Sequence, residues 1–331
     1  MLRACVIGMG PIGNIHADIY KNDPLSELVA VCDTNESRAR QSGKRLGVPW
    51  YNAASEMLTA TQPCVCSIAT AGFEYAGDHH KPTIQALRAG CHVLCEKPIS
   101  NEIAHAEEMV RVALELDRCF AVDFNHRFTP AARQAKTWQN EGRLGDLLFV
   151  NVALWIGRPE DLDSEYYHLK ALNPHSIDFI RHYCGEITEV QCFALKAPGR
   201  WMYSTASFNL RLANGMVGHL TSSYDITRGH PMERIEVAGT KGRFVVEDMW
   251  REATLYSAGE QVKQVYTNPV FGGYRDFNDT FRDRIHTFLK QIADGTPPHE
   301  IDGCGADGLE AQKVIQAAIQ SIETGKIVKI A

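Results

Sequence analysis

Six residues near the start limit the fold more than any other stretch: Gly8-Met9-Gly10-Pro11-Ile12-Gly13. The apolar run 2–7 precedes them and a helical stretch from about Ile12 to Asn22 follows, so this G-x-G-x-x-G joins a strand to a helix. In that setting each glycine has its own reason. The first permits a tight turn, the second leaves room for a pyrophosphate, and the third lets helix and strand approach closely. The helix start at Pro11 and Ile12 then offers free N–H groups and a positive dipole end to the phosphates. Asp33 closes a second apolar strand, 28–32, where a carboxylate hydrogen-bonds the adenosine ribose hydroxyls. Together with Thr34 beside it, these residues predict a dinucleotide site. A carboxylate at Asp33 repels a 2′-phosphate, and Thr34 and Asn35 carry no guanidinium to neutralise one, so NAD is expected over NADP. Arg38 and Arg40 follow on the next helix, within conceivable reach of such a phosphate. A glycine turn in some other α/β protein is the bland alternative.

Short apolar strands alternate with helices up to residue 124: strands at 28–32, 64–70, 92–95 and 119–124, helices at 36–46, 82–89 (closed by Gly90) and 104–116. That is the pattern of a parallel sheet covered on both faces. After residue 125 the rhythm changes to longer, alternating segments at 147–155, 188–195, 205–213 and 216–224, with the hairpin signal Asn214-Gly215 between the last two. Further strands are expected at 234–237, 243–247, 253–256 and 261–266. The fold class is therefore an α/β Rossmann domain over 1–124 and an α+β domain over 125–331 with an open, largely antiparallel sheet. Helices at 175–183 and 276–293 are expected in the second domain, and the last, 306–324, packing back on the first.

The net charge of −6 leaves no basic footprint for nucleic acid or an anionic membrane surface. No apolar run approaches the ~18 residues of a membrane span. A glycine motif at residue 8 leaves no room for a cleavable leader. The ten cysteines lie largely in apolar, strand-like runs and lack zinc-knuckle spacing, which fits free thiols in a reducing, cytoplasmic compartment. His79 and His80 adjoin Asp78, but ligand spacing is incomplete, so no metal is expected.

Cys95-Glu96-Lys97-Pro98 ends the fourth strand, at the edge where doubly wound sheets place ligands. An ammonium there stabilises a developing alkoxide during hydride removal. Glu96 is suited to orient it and Pro98 to fix the backbone. A surface Glu–Lys pair is the alternative. His175 follows Asn173-Pro174 at an expected helix start, with Asp178 one turn on, and its imidazole suits proton transfer at neutral pH. A histidine merely satisfied at a helix start is the competing view.

The chain also resembles the glucose–fructose oxidoreductase / inositol dehydrogenase (Gfo/Idh/MocA) family. The resemblance is carried by VIGMGPIGNIH (6–16), AVCD (30–33), SIAT (67–70), ALRAGCHVLCEKPIS (86–100), NHRFTPAA (125–132), EGRLGDLLFV (141–150), PHSID (174–178) and the ending 307–330. It implies Lys97 as catalytic lysine and His175 as general base or proton relay, with Asp178 from the same motif. It implies that Thr70, His79, Glu96, Lys97 and Asn125 border the cofactor, and that Lys97, Arg127, His175 and Asp178 border the substrate. Arg127 equally suits a structural ion pair. The implied reaction is reversible oxidation of a secondary hydroxyl on a sugar, cyclitol or derivative by NAD, in a homodimer or homotetramer assembled through the open sheet face. Two departures stand out. Ala171 occupies a position where many members carry a relay Asp, with His168 and Lys170 nearby as substitutes. The segment 71–80 is also longer than the family's usual loop. Two other functions share this fold: a glycoside hydrolase using tightly held NAD, and a non-catalytic dinucleotide-binding sensor.

Overall fold

The computed structural model describes residues 1–72, 77–158, 160–161, 164–226 and 232–330. The chain divides into two compact units, Met1–Phe124 with Phe277–Glu310, and Asn125–Asp276 with Ala311–Ala331.

In the first unit the elements run β1 (Leu2–Ile7), α1 (Pro11–Asn22), β2 (Ser26–Cys32), α2 (Glu36–Leu46), β3 (Trp50–Tyr51), α3 (Ala54–Thr61), β4 (Val65–Ile68), α4 (His80–Arg88), β5 (His92–Cys95), α5 (Ile103–Glu115) and β6 (Phe120–Val122). They form a parallel sheet in the order β3-β2-β1-β4-β5-β6. Every residue of β4 and β6 is buried, which is why these strands read as unbroken apolar runs instead of alternating ones. In α1 the buried residues Gly13, His16, Ala17 and Tyr20 follow helical spacing and face the sheet. The short β3 and α3, too small to give a periodic signal, were not expected.

The helix expected at 276–293 forms at Asp279–Ala293 and belongs to the first unit. Its residues Ile285, Phe288 and Leu289 are buried in one cluster with Val6, Tyr20, Leu28 and Leu94. Its assignment to the second domain is thus corrected. Sequence proximity to the second sheet suggested that domain, whereas the apolar face matches the uncovered side of the first.

The second unit opens with a 3₁₀ turn, Asn125–Phe128, then α6 (Pro130–Asn140), β7 (Leu147–Trp155), α7 (Tyr167–Cys184), β8 (Ile187–Leu195), β9 (Thr205–Leu212), β10 (Val217–Ser223), β11 (Glu233–Gly239), β12 (Gly242–Glu247), β13 (Glu252–Ser257) and β14 (Lys263–Thr267). After these come α8 (Asp279–Ala293), the helix just assigned to the first unit, then α9 (Gly305–Thr324), within which the division falls, and β15 (Val328–Lys329). The sheet order is β14-β13-β12-β11-β7-β10-β9-β8-β15. Its pairings are antiparallel apart from β7 with β10. Between β9 and β10, the Gly215 N–H donates to Leu212 O and Gly215 takes φ +87°, a three-residue hairpin loop in which the left-handed position needs glycine.

One correction here concerns chemistry. His175 does not begin a helix. α7 starts eight residues earlier, and Pro174 lies inside it. Proline removes one i→i−4 hydrogen bond and usually ends a helix, but this helix is buried along almost its whole length, and that packing outweighs the lost bond.

Candidate active site

The glycine turn behaves as its spacing requires. Gly8 sits at φ +96°, and a Cβ there would lie 2.5 Å from the Ala69 and Thr70 backbone. A Cβ on Gly13 would lie 1.7 Å from Gly8 O, so helix and turn touch backbone to backbone. A Cβ on Gly10 meets nothing within 4 Å. The middle glycine therefore borders open space, as a pyrophosphate cradle needs. Asp33 is buried beside it; its Oδ2 accepts from Met9 N–H at 2.8 Å and its Oδ1 from Asn35 N–H at 2.8 Å. Arg38 Nε stands 3.7 Å from Asp33 Oδ2. Pro11 and Ile12 open α1, and Thr34 is exposed next to Asp33. These features fit a dinucleotide.

Thr70 and His79 bracket the loop after β4; residues 73–76 of the expected long segment 71–80 lie outside the described residues. The His79 ring nitrogens face Thr70 O at 3.0 Å and Pro98 O at 2.7 Å, which ties this loop to the turn carrying Lys97. Lys97 is partly exposed just beyond the end of β5. Its N–H donates to Glu96 Oε2 at 3.2 Å. Glu96 reaches inward as well: its Oε1 lies 3.3 Å from His16 Nε2, and Asp123 Oδ2 lies 3.1 Å from the same nitrogen. Burial alone would lower the His16 pKa, but hydrogen bonds and charge from Asp123 and Glu96 raise it to about 9. Burial likewise opposes ionisation of Glu96, yet His16 holds that carboxyl below its ordinary range. Asp123, desolvated and facing Glu96, is pushed up. Lys97 thus follows a glutamate clamped by a buried imidazolium.

The second unit holds the other expected residues. His175 is buried and stacks face to face on His126, ring centroids 4.0 Å apart and 5° from parallel. His126 Nδ1 lies 2.9 Å from Glu233 Oε2, and both side chains are buried. Arg127 Nε lies 3.4 Å from Asp178 Oδ2, a buried pair joining the 125–128 turn to α7; the structure therefore supplies the ion-pair partner that Arg127 was expected to have as one alternative. Asn125 is fully buried in that same turn. His168 does not stand beside His175. Two helical turns separate them, about 10 Å along the axis, and burial drives the His168 pKa down to about 3, leaving it neutral. Lys170, five residues before His175, lies on a different side of the helix by the 3.6-residue period. The position opposite His175 is held instead by His126 and Glu233, from elements far apart in sequence.

Sequence reading missed His16, Asp123 and Glu233, and read His126 only as part of a segment. His16 had a signal, since it lies one turn beyond Gly13 on the buried face of α1; the others acquire meaning only when the chain folds.

Comparison with known proteins agrees with this architecture. A profile described as an oxidoreductase family with an NAD-binding Rossmann fold matches residues 2–124, and one described as the GFO/IDH/MocA C-terminal domain matches residues 132–245. The chain is 31% identical over 369 residues to D-glucoside 3-dehydrogenase of Escherichia coli, covering 99% of this chain and 97% of that protein. It is 28% identical over 348 residues to myo-inositol 2-dehydrogenase of Thermotoga maritima, covering 99% and 98%. A levoglucosan dehydrogenase solved with NADH and levoglucosan shares the fold, with a TM-score of 0.87 at 21% identity over 100% of this chain and 99% of that one.

Proposed function

This chain belongs to the Gfo/Idh/MocA family of NAD-binding oxidoreductases, and on that premise we propose that it oxidises a secondary hydroxyl of a sugar, cyclitol or sugar derivative, reversibly, with NAD in preference to NADP. The observation that carries this reading is the gathering of the Gly8–Gly13 turn, Asp33, Thr70 and Glu96-Lys97 at the carboxyl ends of β1, β2, β4 and β5. Relatives that match nearly end to end act on an inositol and a glucoside, and this supports the substrate class.

When bound, NAD would supply the hydride acceptor. The Gly10 and Ile12 region would hold its phosphates, Asp33 would accept from its ribose, and Thr70, His79, Glu96 and Asn125 would border it. Lys97 donates a hydrogen bond to the substrate oxygen and stabilises the alkoxide as the carbon loses hydride. His175 takes the hydroxyl proton. Its stacking partner His126, whose Nδ1 faces Glu233, fixes the ring plane that a carboxylate in place of Ala171 would otherwise orient. Arg127 and Asp178 anchor α7 to the turn 125–128 and shape the substrate side. The open sheet face joins subunits into a dimer or tetramer, and ten free cysteines, eight of them buried, support a reducing, cytoplasmic setting.

A panel of inositols, sugars, glycosides and sugar acids, followed at the reduced-nicotinamide absorbance band with NAD, tests the reaction. On the substrate so found, Lys97→Met should lower kcat ~10²–10⁴-fold while NAD affinity stays within a few fold. His175→Ala should act similarly and flatten the acid limb of the pH–rate profile. Near-full turnover by Lys97→Met would show the assigned mechanism to be wrong. Glycoside cleavage without net NADH would favour the hydrolase alternative, and no turnover of any panel member would favour the sensor.

A further inference from the structure

Away from the glycine turn, four side chains meet between α4 and α5 of the first unit. Asp78 and His80 stand at the start of α4, and His105 and Glu108 lie one turn apart on α5, so a D-x-H faces an H-x-x-E. His80 Nε2 is 2.8 Å from Glu108 Oε2, and His105 Nδ1 is 3.2 Å from Asp78 Oδ2. The two imidazoles stack with centroids 4.1 Å apart and planes 5° from parallel. One donor atom from each of Asp78, His80 and His105 lies within 4.8 Å of the others. Asp78 is fixed further, because its Oδ1 accepts from Ser100 Oγ at 3.1 Å and from the His80 and Asn101 N–H groups at 3.3 and 3.4 Å. Partial burial works against its charge, but these bonds and that of His105 hold its carboxyl below the ordinary range. The hydrogen bond from His80 does the same for Glu108.

We propose that Asp78, His80 and His105, with Glu108 closing the shell, bind a divalent transition-metal ion of the zinc class. Two imidazoles and one or two ionised carboxylates form the mixed nitrogen–oxygen donor set that zinc takes, whereas calcium and magnesium favour oxygen throughout. Bonds of roughly 2.0–2.1 Å in a tetrahedron place donors about 3.4 Å apart, so donors that lie within 4.8 Å of one another must draw in by at most about 1.4 Å. The side chains are 18–43% exposed and can turn by that much. The other grouping of this kind, His16 with Glu96 and Asp123, is different: it is fully buried, and the His16 imidazolium already occupies the place of a cation. The surface site lies one residue either side of His79, whose ring joins the β4 loop to Pro98, so an ion there also stiffens the support of Lys97.

Protein stripped with EDTA and dialysed is titrated with zinc chloride by calorimetry and with cobalt(II) by visible absorption. The expected result is one zinc per chain with Kd of about 1 μM or below, and the intense ligand-field band of tetrahedral cobalt. The double variant His80→Ala/His105→Ala should bind at least about 100-fold more weakly, with unchanged far-ultraviolet circular dichroism. If that variant misfolds, His105→Gln alone should still weaken binding by about 10-fold. Absence of saturable zinc binding below about 1 mM, or undiminished binding in the variants, would overturn the site and leave two histidine–carboxylate clasps between α4 and α5.

Discussion

Asp33 has two tasks, and its substitution separates them. Its carboxylate accepts from the Met9 and Asn35 N–H groups, so it shapes the glycine turn as well as facing a ribose. Asp33→Ala should narrow the difference between NAD and NADP affinity by ~1–3 kcal/mol, the cost of a charged hydrogen bond lost in a buried place. It should also weaken both ligands, because the turn loosens, and Arg38, now 3.7 Å from the carboxylate, becomes free to meet a 2′-phosphate. Calorimetric titration with both dinucleotides checks this; a widened preference for NAD would contradict it. Gly8, Gly10, Gly13 and Asp33 were legible in the sequence because their constraints are local: a positive φ, a backbone approach, a strand end. His16 with Asp123, and His126 with Glu233, were not. No spacing rule links residues that meet only through a sheet, and the carboxylate behind a histidine arrives from wherever the topology delivers it.

At the scale of elements, period-2 alternation revealed the second sheet but not its register. Nothing in β7 or β10 announces that they run parallel, since alternation is the same for either direction. The Asn173-Pro174 pair misled for a related reason: local chemistry favours a helix end there, and tertiary burial overrides it. Alternation does show what the sheet leaves uncovered. Phe208 and Leu210 of β9 are buried, while Phe193 and Leu195 of β8 and Val217 of β10 are 61%, 57% and 55% exposed, and their registers with Ser207, Thr205 and Arg211 put them on the opposite face. An apolar patch of this kind marks a contact surface. Light scattering should therefore give a dimer or tetramer at micromolar concentration, and Phe193→Glu with Leu195→Glu should shift it toward monomer. A monomeric wild-type chain would refute the assembly.

For the whole molecule, two buried histidines are expected to limit the pH range of stability from opposite sides. His16 is raised to about 9 in the fold, so its contribution is complete below its unfolded value of about 6.5 and is lost as pH climbs through 9. His168 is depressed to about 3, so the fold is favoured above about 6.5 and penalised as pH falls toward 3. Thermal melts across pH should show His16→Asn flattening the alkaline decline and His168→Phe the acid one; unchanged slopes in both variants would dismiss these groups. The interleaving of the chain has another outcome. Residues 1–124 carry every strand of the parallel sheet, yet Ile285, Phe288, Leu289 and Ile301, each burying roughly 1.5–3 kcal/mol of apolar side chain, belong to the same core. On a translating ribosome the sheet emerges first and its missing wall some 160 residues later (285 − 124 = 161), a delay of about 8–32 seconds at 5–20 residues per second. Through that interval the apolar side chains of residues 1–124 that α8 will cover stay open on the nascent chain.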